Sequence, residues 1–235
     1  VIDNIRRINQ GAQVSFSFTI IEGQPLRDVV ANIQKQAHLT QDLDTENLAT
    51  QISSTQENLE GWLFPDTYHY HSEDTASGLL KRAYNKMQQE LDTAWQTRAA
   101  DLVLSSPYEA LILASIIEKE TGLASERPLI SAVFTNRLKT NMRLQTDPTV
   151  IYGIGADFDG DIKRKDLTTY TPYNTYKIKG LPPTPIAMPS KAAILAAVNP
   201  PESEYVYFVA KGDGSHQFSK TLQEHNRAVK QYQLN

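Results

Sequence analysis

Glu118 closes the most apolar run of the chain, Ala110-Leu111-Ile112-Leu113-Ala114-Ser115-Ile116-Ile117. On a helix it lies beside Ala114 and Ser115 and two turns beyond Leu111. A carboxyl group in that position meets apolar neighbours and the negative end of the helix, which both favour its neutral form. Lys119 and Arg127 oppose them to a degree set by geometry. A glutamate that keeps its proton near neutral pH can protonate a glycosidic oxygen as a general acid. The plain alternative is a solvated glutamate at a helix end, and the residues alone leave both readings open. Glu120 competes for the role. It stands two positions on, about 200° around the helix, so the two carboxylates cannot point into one cleft.

Other groupings carry less chemistry. Trp62, Phe64, Tyr68 and Tyr70 share one strand parity, which suits either a platform for sugar rings or, more simply, a core strand. His69 and His71 have no third ligand at fixed spacing, so no metal site is expected. Asp157, Asp159 and Asp161 resemble the start of a calcium loop, but Ile162 and Thr168 occupy the positions that need Gly and Glu. Gly153-Ile154-Gly155 lacks the third glycine of a dinucleotide loop. His216 and His225 have no sequence neighbours that would complete a triad. Lys163-Arg164-Lys165 reads as a solvated basic run.

The elements that must position Glu118 are legible. Ser106-Pro107-Tyr108-Glu109 is a helix start, with Ser106 as N-cap and Glu109 completing a capping box. Gly122 is the expected stop of a core helix that is apolar all round as far as Ile117. Helices are also expected over residues 1–10, 26–37, 46–52, 76–97, 125–138, 190–198 and 220–232. Val14 to Ile20 alternates as a strand, and Tyr205 to Val209 pairs with His216 to Phe218 as a hairpin. Residues 139–190 are expected to be mostly loop, a length that signals function when ordered.

Composition bounds the rest. The 235 residues suit one large domain or two small ones, at about 150 residues per domain. Hydrophobic residues make up 40%, enough for a core. The net charge of −4 argues against a nucleic-acid binder. With no cysteine there is no disulfide framework, thiolate nucleophile or cysteine-ligated metal. No segment approaches the about 20 apolar residues of a membrane span. The start at Val1, in what reads as a helix in progress, suggests a piece of a longer chain.

Several blocks together resemble the YceG-like family of endolytic transglycosylases. They are Glu60-Gly61-Trp62-Leu63-Phe64-Pro65-Asp66-Thr67, Ala114 to Thr121, Ala124 to Arg127, Met142 to Gly153, Tyr173-Asn174-Thr175-Tyr176, Gly180-Leu181-Pro182-Pro183 and Tyr207-Phe208-Val209-Ala210. The resemblance implies an α+β chain. The remnant of a LysM-like lobe would occupy residues 1–75, and a helical, lysozyme-like catalytic domain residues 76–235. It implies cleavage of nascent peptidoglycan between N-acetylmuramic acid and N-acetylglucosamine, leaving a 1,6-anhydro end, without metal or cofactor. It places the catalytic glutamate on Glu118, with Gln145, Thr146, Asp147, Tyr173, Asn174 and Tyr176 holding the sugar. For the last group, the simpler reading is that they shape turns. Peptidoglycan strands and cell-wall synthesis proteins are the implied partners. The implied location is the periplasmic face of a bacterial inner membrane, through an anchor outside this chain. A muramidase-type hydrolase, a pyridoxal-phosphate lyase of the aminodeoxychorismate type and a non-catalytic glycan-binding module are the rival readings.

Overall fold

The protein is described here by a computed structural model covering residues 14–234. The helix expected over residues 1–10 lies outside the described residues.

Strand β1 (Phe16–Thr19) pairs antiparallel with β2 (Thr67–Tyr70), Phe16 facing Tyr70 and Thr19 facing Thr67. Alternation turns Phe18, Tyr68 and Tyr70 inward. Between the strands lie helices α1 (Leu26–Ile33) and α2 (Leu48–Ile52). Helix α1 stops four residues short of the expected Ala37. The Gln41 side-chain amide donates to the Ile33 and Leu39 carbonyls at 3.1 and 3.2 Å, which satisfies the chain where the helix ends. Of the aromatic segment, only 67–70 is strand. Trp62 and Phe64 sit in the turn before it, and all four aromatic residues are buried. The core reading therefore holds over the sugar platform.

Helix α3 (Ala76–Gln96) is capped by Thr75, whose hydroxyl accepts from the Gly78 N–H at 3.0 Å. Its buried face, with Leu79, Leu80, Ala83, Met87 and Leu91, packs against α4 (Pro107–Glu120) and the later helix Lys191–Val198. Every residue of α4 from Ala110 to Ile117 is buried. Its start differs slightly from expectation: Ser106 caps the Glu109 N–H, but the Glu109 carboxylate accepts from Ser105 rather than from Ser106. Its end also differs. Thr121 turns the chain to extended geometry and its hydroxyl accepts the Leu123 N–H, so the exit does not rest on a left-handed Gly122.

Helix α5 (Arg127–Lys139) begins after Glu126, two residues later than expected. Residues 139–190 are more ordered than the sequence suggests. They form α6 (Asp147–Ile154), a 3-10 turn (Gly155–Asp157) and α7 (Arg164–Thr168). Pro148 presets the first turn of α6, burial of Thr149 and Val150 fixes one face, and Gly155 at φ 70° ends it. Helix α8 (Lys191–Val198) is capped by Ser190. The hairpin β3 (Tyr207–Ala210) and β4 (His216–Ser219) is followed by α9 (Leu222–Gln233), capped by Thr221 with Glu224.

The chain is therefore α+β: helices around α4, with two small two-stranded sheets among the described residues. A single apolar cluster runs from Phe18 and Ile33 through α3 and α4 to Val198. Among the described residues, no helix is long and apolar enough to cross a membrane.

Gly61 joins this core to the later loops. It has φ 80°, and a Cβ there would meet Pro185 Cβ at 2.4 Å. Gly61→Ala should cost about 1–3 kcal/mol in urea unfolding. Gly122→Ala, with nothing within 4 Å of its added Cβ, should be neutral or slightly stabilising.

Candidate active site

The two glutamates at the end of α4 leave the helix in different directions and enter unlike surroundings. The Glu118 side chain is only 5% exposed. Its Oε1 accepts from Arg127 Nη2 at 3.0 Å, and its Oε2 accepts from the Ser190 N–H at 2.9 Å and from the Ser190 hydroxyl. Because Ser190 is the N-cap of α8 and Arg127 opens α5, Glu118 ties the ends of three helices together. The expected apolar setting is thus corrected. The helix residues before Glu118 are buried, but the carboxylate itself is enclosed by donors: Arg127, expected to oppose the apolar setting, and Ser190, 72 positions along the chain. None of the six residues expected to hold a sugar is among its hydrogen-bond partners. Lys119, between the two glutamates, is exposed and donates to the Gly23 carbonyl at 3.2 Å.

Glu120 opens instead onto a cleft of about 540 Å³ between the end of α4, the start of α6, the β3–β4 hairpin and α9. Thr146 donates its hydroxyl to Glu120 Oε1. Burial pushes this carboxyl up to about 7, against the downward pull of the Thr146 hydrogen bond and of the Arg137 guanidinium; the nearby Asp147 carboxylate adds to the rise. Asp147 and Gln145 line the same cleft, and Tyr176 donates to Asp147 Oδ1 at 2.6 Å. Gln145 takes the left-handed φ of 50°, unusual for a side-chain-bearing residue. Its backbone N–H is anchored to the Thr175 carbonyl at 3.2 Å. Gln145, Thr146, Asp147 and Tyr176 are therefore gathered as expected, but around Glu120 and not around Glu118.

Two expected contacts belong elsewhere. Asn174 is buried, its amide donates to the carbonyls of Thr169 and Asp166 at 2.6 and 3.0 Å, and its Oδ1 accepts the Tyr176 N–H at 3.0 Å. The side chain is engaged in shaping the loop that presents Tyr176, as the turn reading holds, and does not reach the cleft. Tyr173 points to a different cavity, with its hydroxyl 2.9 Å from Thr184 Oγ1 and its ring 4.9 Å from that of Tyr152.

Three further ionisable groups have settings that the sequence reading did not assign, because their partners are distant in the chain. His216 lines the Glu120 cleft, and its Nδ1 lies 2.7 Å from Glu126 Oε2, while its backbone N–H donates to Glu126 Oε1 at 2.8 Å. Arg137 also lines the cleft, held by the carbonyls of Val206 and Leu144 at 2.6 and 2.7 Å. Glu60 is buried, accepting from the Leu26 N–H at 2.9 Å and the Tyr152 hydroxyl at 3.0 Å. Burial raises it to about 7 despite those hydrogen bonds. Only the block Glu60-Gly61-Trp62 hinted at a special position. Among the described residues, no group of three or more histidines and acidic residues is placed to hold a metal ion.

The described residues thus form an α+β chain whose loops gather carboxylates, amides and tyrosines around one end of α4. The model of the YceG-like family matches residues 1–231, and the chain belongs to that family. A Bacillus subtilis protein described as an endolytic murein transglycosylase is 34% identical over 97% of this chain and 68% of its own length. A protein of the same description from Streptococcus pneumoniae is 32% identical over 80% of this chain, which spans only 34% of that relative. A crystal structure of a YceG-like protein from Listeria monocytogenes superposes with a TM-score of 0.71 at 32% identity, covering 96% of this chain and 80% of that one.

The Glu118–Arg127 pair is nearly dry, so removing one member should be costly. Arg127→Leu should lower stability by about 3–5 kcal/mol in urea unfolding, and adding Glu118→Gln should restore part of it. A second expectation concerns pH. Glu60 and Glu120 bind protons more tightly when folded, each shifted from an ordinary value of 4.5 to about 7. Their protonated forms favour the folded state below pH 4.5, and that contribution is lost as pH rises through about 7. Glu120→Gln should flatten the decline in thermal stability over that window.

Proposed function

We propose that the chain is an endolytic murein transglycosylase whose acid–base group is Glu120. The observation that carries the reading is the Glu120 carboxyl, raised to about 7 by burial and opening onto a cleft with Asp147, Gln145 and Tyr176 on its walls. Hydrolysis of a glycosidic bond ordinarily uses two carboxylates, because a water molecule must be activated or a sugar captured. Transglycosylation to a 1,6-anhydro end needs neither, since the muramic C6 hydroxyl attacks the anomeric carbon from within the same sugar. One carboxyl group then acts twice. Protonated, Glu120 gives its proton to the leaving glycosidic oxygen; as a carboxylate it takes the proton of the C6 hydroxyl. Asp147, kept in place by Tyr176, supplies negative charge beside the oxocarbenium-like centre. Thr146 fixes the rotamer of Glu120. Gln145 offers an amide to the acetamido or hydroxyl groups of the sugar.

Glu118 has a different part in this reading. It accepts hydrogen bonds on both oxygens and holds the starts of α5 and α8 against the end of α4, which sets the position of Glu120 two residues on. The helices from residue 76 onward act as a lysozyme-like catalytic unit, with residues 1–75 as the remnant of a LysM-like region. Peptidoglycan is the substrate, other cell-wall synthesis proteins are candidate partners, and an anchor outside this chain would hold the enzyme at the periplasmic face of the inner membrane.

Digestion of purified glycan strands, read by mass spectrometry, tests the assignment. The wild type should release fragments with anhydro-muramic ends. Glu120→Gln should release none while melting as a folded protein. Glu118→Gln should melt earlier yet still form anhydro ends. Turnover should fall as pH rises above about 7, where Glu120 loses the proton it must donate. Activity lost in Glu118→Gln and kept in Glu120→Gln would return the role to Glu118. Products heavier by one water would identify a muramidase, strand binding without turnover a glycan-binding module, and an internal aldimine absorbance a pyridoxal-phosphate enzyme.

A further inference from the structure

Tyr173 and Glu60 meet at a cavity of about 640 Å³ between α1 and α6. Its walls combine two kinds of surface. Tyr152 and Tyr173 present aromatic rings whose centroids are 4.9 Å apart, at 60° to each other. Around them stand Glu60, Asn58 and Gln34, polar groups with hydrogen-bonding capacity for hydroxyl and amide partners. An apolar ligand would leave their remaining hydrogen-bonding capacity unused. A phosphate or other anion would face the Glu60 carboxylate with Arg27 as the one cation on the wall. An uncharged ring bearing hydroxyl and acetamido groups satisfies both surfaces, because its faces stack on tyrosine and its rim accepts and donates hydrogen bonds.

The elements that build this cavity also build the Glu120 cleft. Helix α6 presents Asp147 to the cleft at its start and Tyr152 to the cavity five residues on, about 7–8 Å along the axis. The loop after α7 does the same, with Tyr176 on the cleft and Tyr173 on the cavity. Resting on the reading of the chain as a glycan-cleaving enzyme, we infer that the Glu60–Tyr152–Tyr173 cavity is a second saccharide subsite, which holds a neighbouring sugar of the strand whose scissile bond lies at Glu120. Glu60 suits this task by its setting as well. Each oxygen already accepts one hydrogen bond, from Leu26 and from Tyr152, which fixes the carboxyl and leaves further lone pairs. Its raised proton affinity, from burial, adds a donor near neutral pH. The subsite would commit a long strand to the enzyme and set where along it the cut falls.

Binding is measured on the Glu120→Gln chain, so that turnover plays no part, by titration calorimetry with purified uncrosslinked glycan strands and with the isolated N-acetylglucosaminyl-N-acetylmuramic disaccharide. Ala31 lies on the exposed face of α1 and on the cavity wall, so Ala31→Trp fills the space without touching the core. This variant and Tyr173→Ala should each weaken strand binding about tenfold or more, with disaccharide binding at the cleft unchanged and, for Ala31→Trp, melting unchanged. In the otherwise wild-type chain, Ala31→Trp should also change the length distribution of the products. Strand affinity equal to the parent in Ala31→Trp, or no strand binding by the parent at all, overturns the subsite. Failure of the catalytic reading looks different: the wild type would release no anhydro ends while strand binding kept its sensitivity to Ala31→Trp.

Discussion

Burial of α4 on every side is the constraint on which the rest of the structure depends. From Ala110 to Ile117 the helix has no solvent face, so α3, α5, α6 and α8 must all pack around it. Complete burial leaves little freedom to rotate or slide, since any turn of the helix would exchange well-packed apolar contacts for voids. The residues just beyond the apolar run therefore emerge at set directions. Glu118 meets the starts of α5 and α8, while Glu120 meets the start of α6 and the β3–β4 hairpin.

The same residue type thus acquires two characters within three positions. Glu118 is surrounded by donors: a guanidinium, a hydroxyl and a backbone N–H. Such a carboxylate is expensive to remove, because its buried donors would be left unpaired. Glu120 has one hydroxyl partner, a neighbouring carboxylate and open space. The contrast repeats the familiar rule that environment, not identity, assigns roles to paired carboxyl groups. Glu60 adds a third case. It is deeply buried, yet lines a cavity and takes its hydrogen bonds from the first turn of α1 and from α6, linking those two helices.

Local signals served well where a single segment decides the outcome. The long amphipathic α3, the Ser106 and Ser190 caps and the β3–β4 hairpin appear close to their expected bounds. They served less well where distant groups intervene. Helix α1 ends early at a side chain from Gln41, α4 exits through the Thr121 hydroxyl, and α6 forms inside a stretch that reads as loop because its stability comes from burying Thr149 and Val150. The site shows the same division. Gln145, Thr146, Asp147 and Tyr176 were expected to stand together, and they do lie together in space. Which glutamate they lie beside was not legible, nor that Asn174 is absorbed by its own loop and that Tyr173 belongs to another cavity.

By itself the sequence determined the helical core, the absence of cysteine chemistry, the family resemblance and the pair of glutamates at the end of the buried helix. Helical geometry already required those two carboxylates to diverge, because two residues span about 200° of turn. Only the tertiary structure decided what each of them meets. Arg127 and Ser190, nine and 72 positions from Glu118, and Thr146, 26 positions from Glu120, come together through packing of separate helices. Proton affinity and access depend on those long-range neighbours, and no periodicity along the chain records them.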